Sequence, residues 1–379
     1  MVSTTEPISV IKESTELKKI KLKGKINQSA VKKAANAIAE GIVLLPTKYN
    51  YVLVSNDPKR LNSVNQDSLL ILNERQKLEP TKFISKSDIE MDSLTEIAQK
   101  VIQQFTPGPL IAYLRQKELS SNQNPSNAEE KIGIRVSNSQ LINDLLAQSK
   151  NPLYFIEVEK TESNILDSEW LRTNENNIVL YLEREIANYS NSTVIDLTTS
   201  EPKILKKGFL PILEIEQVSG RRLKIGKDVY FSVLFVCSGN SCRSPIAKGI
   251  LEKMFEKKNV FVYSAGTIAQ KGILPSEFAV IAAKKYGADI SHHLSSPLTK
   301  ELINDADLIL VMSPKHKDNV IELVPEAKSK TFLLREYAFG INEEVEDPVG
   351  APLAVFEKAA AVINENLIKV AEDIKDRLN

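Results

Sequence analysis

The chain is 379 residues long, too long for one ordinary hydrophobic core, and a usual domain size of about 100–200 residues predicts two domains. A hydrophobic share of 42% against a charged share of 26% is that of a globular protein, with no apolar run near the roughly 18 residues of a bilayer span. Lysine plus arginine equals aspartate plus glutamate at 49 each, so no net field draws the chain to nucleic acid or an anionic membrane.

Residues 1–25 lack periodicity and read as a loosely ordered lead. They have neither the basic start nor the apolar core of a secretory signal, and a cytoplasmic location is expected. Lys18, Lys19, Lys21, Lys23 and Lys25 cluster there and read as a solvated tail. Apolar spacing over 30–40 predicts an amphipathic helix, with Gly41 suited to the position just past its end. Strands are expected at 42–46, 51–54, 69–72, 110–114, 131–136, 153–158 and 193–196, and helices near 88–105, 138–149 and 168–187. Together they predict a mixed α/β domain over 26–220. The polar run 221–228 fits a linker, and a second domain is expected over 229–379. Its buried-strand signals at 230–236, 261–263, 308–312 and 331–334 alternate with helical segments such as 246–257. That alternation predicts a doubly wound parallel sheet with helices on both faces.

The chemistry is expected where the first of those strands ends, in the run Val236-Cys237-Ser238-Gly239-Asn240-Ser241-Cys242-Arg243-Ser244-Pro245. In a parallel α/β sheet, ligands bind at the carboxyl ends of strands, and a turn feeding a helix presents backbone N–H groups to an anion. Gly239 and Asn240 are residue types that tolerate left-handed backbone angles, as a tightly curled loop requires. Arg243 supplies a planar fork for two phosphate oxygens. The same donors stabilise a negative sulfur, so Cys237 is expected to act as a nucleophile, with Ser244 able to donate its hydroxyl to that sulfur. Phosphate binding is thus expected of Ser238, Gly239, Asn240, Ser241, Cys242 and Ser244 together with Arg243. The chain has only two cysteines, Cys237 and Cys242, and three histidines, His292, His293 and His316. No disulfide framework, metal site or cofactor is expected from so few, and the histidines read as packing residues.

This loop resembles the signature of the low-molecular-weight protein tyrosine phosphatases and their bacterial arginine-phosphatase relatives. The resemblance extends through Ser264-Ala265-Gly266-Thr267, His293-Leu294-Ser295-Ser296-Pro297-Leu298, Asp307-Leu308-Ile309-Leu310-Val311-Met312 and Glu346-Asp347-Pro348-Val349-Gly350. It implies a phosphocysteine intermediate on Cys237, with Asp347 as the general acid and then the base that activates water. It also implies a phosphorylated protein as substrate. Ser241 falls where tyrosine phosphatases of the family usually carry a bulky aliphatic residue and arginine phosphatases a threonine. Val349 falls where both usually carry an aromatic residue. Both positions lean toward phosphoarginine over phosphotyrosine. The spacing of Cys242 from Cys237 matches the family's reversible disulfide pair, which implies a redox role for Cys242. Arsenate reduction, a third activity of this fold, relays oxidation to cysteines outside the loop, and this chain has none.

Residues 26–220 resemble the YrdC-like domain of threonylcarbamoyl-adenylate synthases through 41–47, Pro107-Gly108-Pro109, Ile132-Gly133-Ile134-Arg135, Asn191-Ser192-Thr193-Val194-Ile195-Asp196 and 204–208. Where that family continues Asp-Thr-Val-Tyr-Gly, this chain has Lys48-Tyr49-Asn50-Tyr51-Val52. The family's Lys-x-Arg is Asn73-Glu74-Arg75, and its Ser-Ala-Asn is replaced by Ile156-Glu157-Val158. The expectation is a fold retained as a binding, regulatory or dimerisation module. The rivals are a bifunctional enzyme whose Arg135, Ser192 and Thr193 still hold a nucleotide, and a phosphoprotein-binding adaptor without turnover.

Overall fold

The computed structural model describes residues 18–21, 28–62, 81–119, 131–158, 178–183, 186, 190–255 and 259–378. They fall into two compact units, one of residues 1–93 with 105–192, the other of residues 94–104 with 193–379.

The first unit holds a mixed sheet of strands β1 (Lys18–Lys21), β2 (Ile42–Pro46), β3 (Tyr51–Ser55), β4 (Thr81–Ile84), β5 (Leu110–Arg115), β6 (Lys131–Val136), β7 (Leu153–Glu157) and β8 (Ile178–Glu183). Their spatial order is β1-β8-β2-β3-β7-β4-β6-β5. Helices α1 (Gln28–Glu40), α2 (Pro58–Asn62) and α4 (Gln140–Gln148) also belong to it. Helix α1 buries Ala30, Val31, Ala34 and Ile38, one stripe at helical spacing. Gly41 follows it for a reason other than backbone freedom. A Cβ there would lie 2.6 Å from Val179 Cγ1, so the close approach of the chain to β8 requires glycine.

The structure differs from the sequence reading in several places. Residues 178–183, expected to be helical, form β8, which runs parallel to both β1 and β2. Ile178, Leu180, Tyr181 and Leu182 are buried there, and a continuous apolar run enclosed on both sides is a strand pattern that helical spacing mimics. Residues 168–177 lie outside the described residues, as does the strand expected at 69–72. Within the expected loose lead, Lys18–Lys21 is strand β1. The helix expected over 88–105 begins only at Glu96, as α3 (Glu96–Phe105), with short 3-10 turns at Lys86–Asp88 and Met91–Ser93 before it. Thr95 sets that start, its hydroxyl accepting the Ala98 N–H at 3.3 Å.

In the second unit, β9 (Thr193–Asp196), β10 (Lys203–Lys206), helix α5 (Ile212–Ser219) and β11 (Lys224–Ile225) come first. Within the run expected to link two domains, β11 pairs with β10 and Leu223 is buried. A four-stranded parallel sheet follows, made of β12 (Phe231–Cys237), β13 (Val260–Gly266), β14 (Leu308–Val311) and β15 (Thr331–Leu333), in the order β13-β12-β14-β15. The helices around it are α6 (Arg243–Met254), α7 (Glu277–Lys284), α8 (Lys300–Asp305), α9 (Pro314–Leu323), α10 (Leu334–Phe339) and α11 (Leu353–Leu378).

Every residue of β12 is buried, as expected of a central parallel strand covered on both faces. The chain leaves β12 toward β13 on one side and returns past it to β14 on the other. Strand order therefore reverses at β12, and the crevice at its carboxyl end is where a doubly wound sheet receives a ligand. Among the described residues, no helix is long and apolar enough to cross a membrane.

Candidate active site

Cys237 is the last residue of β12, and α6 begins at Arg243. The five residues between them curl around the sulfur. Asn240 makes the sharpest turn, with φ of 53°, a left-handed angle that asparagine accepts more readily than most residues. Its N–H donates to Cys237 Sγ at 3.3 Å. Its side chain is fully engaged: Nδ2 donates to Ser244 Oγ at 2.9 Å and to Ser264 Oγ at 3.0 Å, while Oδ1 accepts the Ser296 N–H at 2.8 Å. Of the two residues expected to tolerate that angle, Asn240 adopts it and Gly239 does not.

Ser244 Oγ lies 2.9 Å from Cys237 Sγ. That oxygen accepts from Asn240, so its own hydrogen is the donor, with Cys237 Sγ the nearer acceptor and the Ala265 carbonyl, at 3.5 Å, the farther one. Arg243 is buried, donating from Nη1 to the Val345 carbonyl at 3.0 Å and from Nη2 to Asp347 Oδ2. The structure thus brings Asp347 to the loop from more than a hundred residues downstream through the guanidinium itself. Val349, two residues on, is 68% exposed. Cys242 is buried beside Ser241, whose Oγ is 3.7 Å from its sulfur, and burial raises the Cys242 thiol above its ordinary range.

Three residues that sequence reasoning left outside the site hold the loop in place. His316 is buried, with Nε2 2.9 Å from Ser238 Oγ and Nδ1 2.9 Å from Ser313 Oγ. Burial, reinforced by the Arg243 charge, pushes its pKa down to about 4, so the ring is neutral at physiological pH and links the two hydroxyls. His293 Nε2 is 3.0 Å from the Asn240 carbonyl, and burial lowers its pKa too. Gly266 ends β13, where a Cβ would stand 2.5 Å from the Ser238 carbonyl and 2.8 Å from the Asn240 nitrogen. Only glycine lets the neighbouring strand approach the loop that closely. One signal for His316 was available: it sits in the first turn of a helix that follows a parallel strand, as Arg243 does.

A cysteine sulfur, loop amides at a helix N-terminus, a guanidinium and a carboxylate thus meet at one strand end. This equipment suits an in-line displacement at phosphorus. Among the described residues no group of His, Cys, Asp and Glu is arranged to hold a metal ion.

In the first unit, Arg135 and Ser192 meet at Glu157. Arg135 Nη1 donates to Glu157 Oε1 at 2.6 Å, and Ser192 donates to the same carboxylate from Oγ at 2.6 Å and from its backbone N–H at 2.8 Å. Among the described residues, Arg135 Nε and Nη2 are buried without a hydrogen-bond partner. Residues 47–50, where the chain departs from the synthase motif, form the tight turn between β2 and β3, with Thr47 Oγ1 donating to Asn50 Oδ1 at 2.7 Å. In the second unit, Thr193 Oγ1 donates to the Leu210 carbonyl at 2.9 Å. Residues 73–75 lie outside the described residues.

Comparison with known proteins finds two family matches along the chain, of which the first runs past residue 192 into the second unit. The family model Telomere recombination, which covers the YrdC-like domains, matches residues 36–208, and the model Low molecular weight phosphotyrosine protein phosphatase matches residues 232–379. A protein-arginine-phosphatase of Geobacillus stearothermophilus is 38% identical over 145 residues, 38% of this chain and 97% of that protein. Its counterpart in Bacillus subtilis is 34% identical over 38% of this chain and 96% of its own length. A probable low molecular weight protein-tyrosine-phosphatase of Erwinia amylovora is 35% identical over 35% of this chain and 89% of its own. With these relatives covered almost end to end, the chain belongs, through its C-terminal residues, to the low molecular weight phosphotyrosine protein phosphatase family.

Proposed function

We propose that the chain is a cytoplasmic phosphoprotein phosphatase that works through a phosphocysteine on Cys237, with phosphoarginine as its preferred substrate. The observation that carries this reading is the Cys237–Ser244 and Arg243–Asp347 assembly at the end of β12. The loop and Arg243 bind the phosphoryl oxygens while Cys237 Sγ attacks phosphorus. The P–N bond of phosphoarginine breaks, or the P–O bond of phosphotyrosine, and Asp347 gives its proton to the departing atom. The resulting carboxylate then takes a proton from water, whose oxygen attacks phosphorus and breaks the S–P bond, releasing inorganic phosphate. The sulfur leaves as a thiolate, with the Ser244 hydroxyl directed at it.

The preference for phosphoarginine is supported by the small hydroxyl of Ser241 within the loop and by the arginine phosphatases among the relatives. A guanidinium is polar and planar and suits a narrow, wet pocket, whereas a phenyl ring gains from an apolar wall. The exposed Val349 offers little of that wall. Turnover of phosphoarginine and phosphotyrosine peptides by the wild type and by Cys237→Ser tests the mechanism: the variant is expected to lose both, and retained turnover overturns the reading. Ser241→Ile is expected to move the ratio of the two kcat/KM values toward phosphotyrosine by roughly tenfold, the scale of a changed apolar contact. An unchanged ratio removes Ser241 as the specificity residue.

Cys242 is proposed as a redox guard that forms a disulfide with Cys237 when the nucleophile is oxidised. Hydrogen peroxide is expected to inactivate the enzyme and dithiothreitol to restore it, while Cys242→Ser makes the loss permanent. Full recovery of the variant excludes the guard. Residues 26–220 are read as a binding, regulatory or dimerisation module. In support, Arg135 and Ser192, two residues expected to hold a nucleotide, are both bonded to Glu157.

A further inference from the structure

The loop 237–244 is held by segments of the second unit that share an unusual feature. The Ile268 N–H donates to the Ser238 carbonyl at 3.1 Å and the Ser276 N–H to the Ser241 carbonyl at 3.0 Å, while His293 and Ser296 bond Asn240. Each of these segments turns large aliphatic side chains to solvent: Ile268 is 79% exposed, Ile273 50%, Leu274 61% and Leu294 57%. Ile273 and Ser295 exchange hydrogen bonds, the Ile273 N–H to Ser295 Oγ and the Ser295 N–H to the Ile273 carbonyl, both at 2.9 Å. That exchange sets Ile273 and Leu274 beside Leu294. Across residues 267–276 and 291–299, Lys271 is the only Lys, Arg, Asp or Glu.

Single exposed aliphatic residues are ordinary, but several gathered on the segments that brace one loop mark an interaction surface. The position of this surface names its occupant, because a protein delivering a phosphorylated side chain to Cys237 must lay its neighbouring residues over these segments. We propose that this apolar rim binds aliphatic side chains flanking the phosphorylated residue, so that the preferred substrates are accessible phosphorylated segments with aliphatic flanks. Acidic flanks are disfavoured, because burying a carboxylate against uncharged aliphatic groups costs its hydration. This inference rests on the phosphoprotein-phosphatase reading of the same site.

The test measures kcat/KM for two phosphoarginine peptides, one flanked on both sides by leucine and valine and one by aspartate and glutamate, with para-nitrophenyl phosphate as a substrate without flanks. Wild type is expected to prefer the aliphatic peptide by roughly tenfold or more, the scale of burying one aliphatic side chain. The triple variant Ile268→Asp, Leu274→Asp, Leu294→Asp is expected to lose that preference while hydrolysing para-nitrophenyl phosphate within about twofold of wild type, as a change confined to the rim requires. Equal turnover of the two peptides by wild type, or an unchanged preference in the variant, overturns the rim and leaves the phosphatase reading standing. No turnover of any of the three substrates overturns the phosphatase reading itself. If sedimentation shows that the triple substitution breaks a dimer without altering the peptide ratio, the surface binds a second copy of the chain and the proposal fails.

Discussion

Asp347→Asn is expected to lower kcat for a phosphoarginine peptide by roughly 10²- to 10⁴-fold, the usual contribution of a positioned general acid. The loss should be much smaller with para-nitrophenyl phosphate, whose leaving group departs without needing a proton. This contrast separates two roles that the geometry allows. Asp347 accepts from Arg243 Nη2, so its removal also frees the guanidinium proposed to bind the phosphoryl group. A role in proton donation makes the loss depend on the leaving group. A role confined to holding Arg243 predicts equal losses for both substrates and weaker inhibition by inorganic phosphate. Steady-state kinetics on the two substrates, with phosphate as inhibitor, checks the prediction, and equal losses remove Asp347 as the acid.

Glu216→Gln is expected to destabilise the second unit by about 1–3 kcal/mol, the cost of weakening the charged hydrogen bonds of a buried arginine that keeps Asp373 as its other partner. Arg377, near the end of α11, is fully buried and donates to Glu216 from Nε at 2.9 Å and from Nη2 at 2.8 Å. Glu216 also accepts the Leu223 N–H at 3.0 Å, which ties α5 to the chain entering β11. Asp373 and Tyr337 complete the network, Asp373 accepting from Arg377 Nη1 and from Tyr337 Oη. Burial opposes the Arg377 charge, yet Tyr337, Glu216 and Asp373 outweigh it and raise its pKa. The family match begins at residue 232, so Glu216 lies upstream of the part shared with the relatives. A leucine–methionine pair at 216 and 377 should recover much of the lost stability, because it removes both charges together. Urea unfolding followed by circular dichroism measures the effect. A loss below about 1 kcal/mol from Glu216→Gln places Arg377 among pairs that solvent already screens.

The strand, loop and helix from Phe231 to Met254 were legible because everything they need is local. An apolar run buried on both faces, a residue that accepts a left-handed angle and a proline in the first helical turn all follow one another in the chain. Most strands of the first unit were legible for the same reason. Strand β8 was not, since a run apolar at every position carries both periodicities, and only its parallel neighbours β1 and β2 decide between them.

Much the same division runs through the site. By itself the sequence determined that Cys237, Arg243 and Ser244 share one phosphate-sized turn, because consecutive residues cannot separate. The resemblance of its motifs added Asp347. Only the tertiary structure decided that Asp347 reaches the loop by gripping Arg243, that His316 and His293 brace it, and that Gly266 must lack a side chain. It alone decided that Glu157 faces Arg135 and that Glu216 faces Arg377. The reason is physical. A hydrogen bond or ion pair depends on angstroms in space, and residues brought together by separate strands and helices leave no spacing in the chain from which that distance can be read.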